Sequence, residues 1–212
     1  MEIPKKLQKK LDEGRQYRAV VKFEAPDEAD ERMIVEGYAT TFNEPYVLYD
    51  DGEIVLTEQV DRSAFDGTDM SDVIMQYDHE GRVFARTSNG TLELTPDEHG
   101  LHIRADLSGT DIGKQLYEEI RGGYTDKMSF GFTVEDDERR TAAENGVTTV
   151  LRIIKRIGKL YDVSAVSLPA NNATEISARS YCDGVIAELT EERRKAEERE
   201  RQKQRIKIML NL

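Results

Sequence analysis

Ser129 lies in the apolar, strand-like run Met128-Ser-Phe-Gly-Phe-Thr-Val134, fifty residues after His79 of Tyr77-Asp-His-Glu-Gly81. A serine hydroxyl is a weak nucleophile until a neighbouring base takes its proton. A neutral imidazole suits that task at pH 7. Asp162 opens a second apolar run, Asp162-Val-Ser-Ala-Val-Ser-Leu168. A carboxylate among apolar neighbours is costly unless it is paired. Orienting an imidazole and stabilising its cation would supply the pairing. Asp78 and Asp126 are rivals for that role by local position.

Each residue also has a plainer reading: a half-buried strand serine, a surface histidine at a turn, an exposed aspartate at a strand start. Strand alternation puts Met128, Phe130 and Phe132 on one face and Ser129, Gly131 and Thr133 on the other. The aromatic face would anchor the strand in a core. Gly131 would leave the serine face open to a close backbone approach. His99 and His102 read as exposed positions of a hairpin. A zinc site built from the three histidines lacks metal-ligand spacing. Phosphate-loop and dinucleotide motifs are absent, so no cofactor is expected.

The elements that must position these residues are mostly strands. Ile34–Phe42, Glu53–Leu56, Val73–Tyr77 and Val83–Thr87 have strand composition, as does Tyr17–Phe23. Thr91–Thr95 and Leu101–Leu107 alternate apolar with polar and predict a hairpin. Thr110 and Asp111 predict a helix start, Ile112, Leu116 and Ile120 its apolar stripe, and Gly122-Gly123 its end. Glu135–Gly146 reads as a polar loop. Val147–Ile157 and Leu160–Leu168 read as strands split by Gly158. A short helical pattern surrounds Leu7 and Leu11.

Of 212 residues, 38% are hydrophobic and 34% charged, which fits one domain with a modest core. No apolar run is long enough to span a membrane, and the N-terminus lacks the apolar segment of a secretion signal. Cys182 is the single cysteine. It excludes an internal disulfide and fits a reducing compartment. The net charge is −12. From Val185 to Leu212, eight Lys/Arg face six Glu, so the arm carries +2 and the remainder −14. An acidic body argues against a nucleic-acid surface. Residues 190–205 contain no large apolar side chain. Glu and Lys/Arg pairs at i,i+4 can support a solvated helix there. The expected organisation is an N-terminal extension (1–32), a catalytic domain (33–184) and a charged helical arm (185–212).

Four segments, in order, resemble the prohead (capsid maturation) serine proteases of tailed phages. They are Glu36-Gly-Tyr-Ala-Thr-Thr-Phe-Asn43, Tyr77-Asp-His-Glu80 with Arg82, Met128-Ser-Phe-Gly-Phe132, and Asp162-Val-Ser-Ala-Val-Ser-Leu-Pro-Ala-Asn171. The resemblance implies an α+β, mostly β fold: a compact antiparallel β-barrel with surrounding helices, related to the herpesvirus assembly proteases. It implies a serine endopeptidase with Ser129 as nucleophile, His79 as base and Asp162 as third member, where the family more often has Glu. It implies the major capsid protein or its scaffold extension as substrate, inside the immature capsid in the host cytoplasm. No arginine follows in Ser167–Glu175, so no oxyanion residue is carried over. Two other readings stay open. One is a catalytically silent capsid-assembly scaffold or binding protein with the same barrel, motivated by an arm that could join a partner chain or a second copy of this one in a homo-oligomer. The other is a hydrolase of small esters.

Overall fold

A computed structural model describes residues 5–24, 32–167 and 172–210. In chain order its elements are α1 (Lys5–Asp12), β1 (Gln16–Glu24), β2 (Ile34–Thr41), β3 (Tyr46–Asp50), β4 (Ile54–Val60), β5 (Ile74–Tyr77), β6 (Glu80–Arg86), β7 (Leu92–Pro96), β8 (Gly100–Asp106), α2 (Asp111–Arg121), β9 (Lys127–Glu144), β10 (Val147–Val166) and α3 (Asn172–Leu210). The strands join in the order β3-β4-β10-β9-β1-β2-β8-β7, with β5 on β10 and β6 on β5.

The fold is α+β and mostly strand, but the expected barrel does not close. β10 pairs in parallel first with β4 and then, further along the same edge, with β5. The path therefore ends at β3 and does not curl round to β7. Both end strands discourage further pairing. β3 carries a bulge between Val47 and Tyr49, and β7 ends on Pro96, which has no N–H to donate.

β1 draws residues from the 1–32 stretch into the sheet, between β9 and β2. The expected polar loop at Glu135–Gly146 is instead the outer half of β9. It pairs with β10 back to Glu144 opposite Val147. Backbone pairing needs no apolar side chain, and Asn145-Gly146 closes the hairpin with both residues at positive φ, 53° and 85°. Gly158 does not split β10; the strand runs through it with register shifts on either side. α3 is one helix from Asn172, not one that begins beyond Gly184. Val185 and Cys182 are buried against Ile54, Leu56 and Val150. From residue 192 to 210 every side chain of α3 is exposed.

The core lies where the aromatic face of β9 was expected. Met128, Phe130 and Phe132 are fully buried, and the two phenyl rings stack at 4.5 Å. Leu116 and Ile120 of α2 pack into the same cluster. The Thr110 hydroxyl caps α2 by accepting from the Gly113 amide.

A buried ion cluster fixes β1. The Arg18 guanidinium donates to both Glu58 oxygens, at 2.5 and 3.0 Å. Arg152 adds a third bond at 2.8 Å and the Tyr46 hydroxyl a fourth at 2.6 Å. Burial pushes the Glu58 carboxyl up, but the two guanidiniums and the Tyr46 bond outweigh it and hold the carboxyl below its ordinary value. β1, β4 and β10 are thereby locked in register, and Tyr17 is held beside them.

Candidate active site

The site begins with a turn. Tyr77 of β5 pairs with Glu80 of β6, so Asp78 and His79 are the two central residues of a hairpin. Both sit at positive φ, 48° and 60°. Such a turn suits Asn-Gly; for Asp-His it costs about 1–3 kcal/mol per residue. Tertiary bonds hold it. The Asp78 amide donates to the Ala165 carbonyl at 2.9 Å. The Asp78 carboxylate accepts from the Ser167 amide at 3.1 Å and hydroxyl at 3.0 Å. The Lys10 ammonium donates to the His79 carbonyl at 2.8 Å.

This turn folds the imidazole back over the sheet. Its Nε2 lies 2.6 Å from Ser129 Oγ, and its Nδ1 is hydrogen-bonded to Asp162 Oδ1. An ionised carboxylate can only accept, so Nδ1 carries the proton and Nε2 accepts from the serine hydroxyl. The three residues named from the sequence thus form one continuous chain of hydrogen bonds. All three are buried: Ser129 is 0% exposed, His79 1% and Asp162 2%.

Register explains why Ser129 and Asp162 meet. β9 and β10 set Gly131 opposite Asp162 and Ser129 opposite Ser164, so all four share one face. Gly131 is required there. A Cβ at that position would lie 2.5 Å from Asp162 Oδ2 and 2.7 Å from Tyr17 Cε1.

Burial pushes the Asp162 carboxyl up, but the facing His79 and the hydrogen bonds from His79 and Ser164 outweigh it. The net direction is down. Asp162 therefore stays ionised beside the imidazole. The rival aspartates are engaged elsewhere: Asp78 with Ser167, and Asp126 with Lys127 at 3.5 Å. His99 is exposed and His102 half-buried; both flank the Tyr38 ring. Among the described residues no group of three or more His, Cys, Asp or Glu gathers as metal ligands. Burial pushes the Cys182 thiol up to about 11, so it is no thiolate nucleophile.

Two neighbours escaped the sequence reading. The Ser164 hydroxyl donates to Asp162 Oδ1 at 2.8 Å. Its position two residues after Asp162 was a usable signal, because alternation puts both on one face. The Tyr17 ring packs edge-on against the imidazole, centroids 4.4 Å apart. Burial, then the Asp162 charge, pushes its phenol up, so Tyr17 stays neutral. Nothing local in the sequence marks Tyr17. Residues 168–171, where an oxyanion donor would be sought, lie outside the described residues.

Residues 20–184 match the family model described as caudovirus prohead serine protease. The prohead protease of Enterobacteria phage HK97 is 30% identical over 153 residues, which is 72% of this chain and 62% of that protein. The chain thus spans less than two-thirds of that relative's length. No solved structure matches it. With the family model covering well over half of its residues, the chain belongs to the caudovirus prohead serine protease family.

Proposed function

We propose that this chain is a serine endopeptidase, with Ser129 as nucleophile, His79 as general base and then acid, and Asp162 as the group that orients the imidazole. The observation that carries the reading is the unbroken hydrogen-bond chain from Asp162 through His79 to Ser129. As Ser129 Oγ attacks a peptide carbonyl carbon, its proton passes to His79 Nε2. Asp162 keeps the Nδ1 proton in place and stabilises the imidazolium. The Nε2 proton then goes to the departing amine, leaving an acyl-serine. Water attacks that ester as Nε2 takes one of its protons. Nε2 then returns that proton to the departing Ser129 Oγ as the acid is released and the serine hydroxyl restored. A positioned base contributes about 10²–10⁴-fold in rate. Ser129 has no exposed surface, so attack on a peptide requires the residues that cover it to shift.

The proposed substrate is the capsid protein or its scaffold extension, inside the immature shell in the host cytoplasm. The HK97 relative is a prohead protease, which supports this. In this reading the exposed part of α3 serves assembly and not chemistry. Its tip residues Ile206, Ile208, Met209 and Leu210 are 57–80% exposed, an apolar end suited to docking on the shell or on a second copy.

The test is a serine-reactive phosphonate. Stoichiometric labelling at Ser129, lost in Ser129→Ala and His79→Ala, is the expected result. Peptide cleavage retained by a folded Ser129→Ala protein would sink the assignment. Co-expression with the capsid protein, followed by mass spectrometry of its N-terminus, tests the substrate.

A further inference from the structure

An open groove of ≈ 610 Å³ runs between the β5–β6 hairpin and α2. Its lining includes Asp78 and Glu80, the residues on either side of His79. A chain lying in it passes directly beside the turn that carries the imidazole. The floor is apolar, with Phe84 and Ile112 half-buried. Ile112 begins the apolar stripe of α2, yet unlike Leu116 and Ile120 it is not fully covered. The rim sets three carboxylates, Asp78, Glu80 and Glu119, against one guanidinium, Arg82.

We propose that this groove seats the substrate segment next to the scissile bond and selects one that combines an apolar side chain with a lysine or arginine. The apolar side chain covers Phe84 and Ile112, and the cation meets the acidic rim. Two features of the groove favour this occupant: its excess of negative charge, and its continuity with the His79 turn. The inference rests on the peptidase reading above.

The probe is a fluorescein-labelled peptide with paired leucines flanked by lysines in a Gly/Ser background. Its counterpart carries glutamine in place of lysine. Binding is read by anisotropy on the full chain carrying Ser129→Ala, so it is independent of cleavage. The lysine peptide should bind about tenfold more tightly, as expected for exposed charge pairs. The pair Glu80→Lys and Glu119→Lys, both at exposed positions, should abolish that preference. Arg82→Glu should strengthen it. Replacing the leucines with serine should weaken both peptides.

Equal binding of the two peptides, or a preference that survives the charge reversal, overturns the proposal. So does a charge reversal that leaves peptide binding unchanged but turns an oligomer into monomers, which would make a second copy the occupant. Cleavage by the wild-type chain is the separate arm. A lysine peptide that binds as expected but is not cut supports the groove and overturns the peptidase reading. One that is cut without dependence on Glu80 and Glu119 supports the peptidase and overturns the groove.

Discussion

Two hairpin turns in this molecule share a backbone and differ in everything else. Asn145-Gly146 closes the β9–β10 ribbon at φ 53° and 85°; Asp78-His79 closes β5–β6 at φ 48° and 60°. The first uses residues that accept this conformation at little cost. Asp and His bear the strain, and the second turn is held by Ala165, Ser167, Lys10, Asp162 and Ser129. One turn is specified locally, the other by five distant residues. Strain of this kind persists where surrounding structure over-determines it, and it clusters at functional sites.

The hardest break is Ser129→Ala. It should lower kcat by about 10⁶-fold, since the members of a triad act as a unit. The turn itself should survive, because one lost hydrogen bond is worth about 1 kcal/mol. Steady-state peptide kinetics with circular dichroism on the same sample is the check. A folded variant with wild-type kcat would remove the serine from the mechanism.

Asp162→Asn should lower kcat by about 10⁴-fold through the wrong imidazole tautomer. It should also change acid stability. A carboxyl held below its ordinary value in the folded state takes up protons less readily there than when unfolded. Its contribution is fully present above the ordinary carboxylate value and is lost as pH falls through the depressed folded value. Melting temperatures taken from about pH 6 down to 2 should therefore fall less steeply in Asp162→Asn than in wild type. Glu58, also depressed, leaves both proteins some slope. Identical slopes would mean that the Asp162–His79 pair contributes nothing to the folded state.

Gly131→Ala places a methyl against the Asp162 carboxylate and the Tyr17 ring. A displacement of about 1 Å at such a site can cost 10²-fold in kcat, and overpacking costs about 1–3 kcal/mol. Unchanged kinetics would show that the His79 turn tolerates movement of its partners. Asp78→Ala removes the bonds to Ser167 and should lower kcat about tenfold, as expected for loosened positioning. It should also raise KM for a lysine-bearing peptide, because Asp78 is one carboxylate of the groove's rim. A raised KM with kcat unchanged would leave Asp78 a role in substrate binding alone and remove it from the positioning of His79.

The smallest effect is the control on the other turn. Gly146→Ala forces a Cβ at φ 85° and should cost about 1 kcal/mol. Activity should not change. A loss of activity there would mean that the ribbon is coupled to the site, and the contrast between the two turns would fail.

By itself, the sequence determined what is local or periodic. The alternation of Met128, Phe130 and Phe132 fixed which face of β9 enters the core, and so which face carries Ser129. Thr110 and Gly122-Gly123 bounded α2. Ser129, His79 and Asp162 were legible because short motifs surround them. Other features were decided by partners far along the chain. Residues 135–144 became strand because β10 was there to pair with, although their composition is that of a loop. The sheet stayed open because β4 and β5 share one edge of β10. Tyr17 reached His79 because the Arg18–Glu58–Arg152 cluster and the pairing with β9 hold β1 in place. Asp78-His79 took a glycine's conformation because bonds from five other residues outweigh its strain. Hydrogen bonds and charges of this kind depend on distance in space, and a propensity read along the chain contains no such distance.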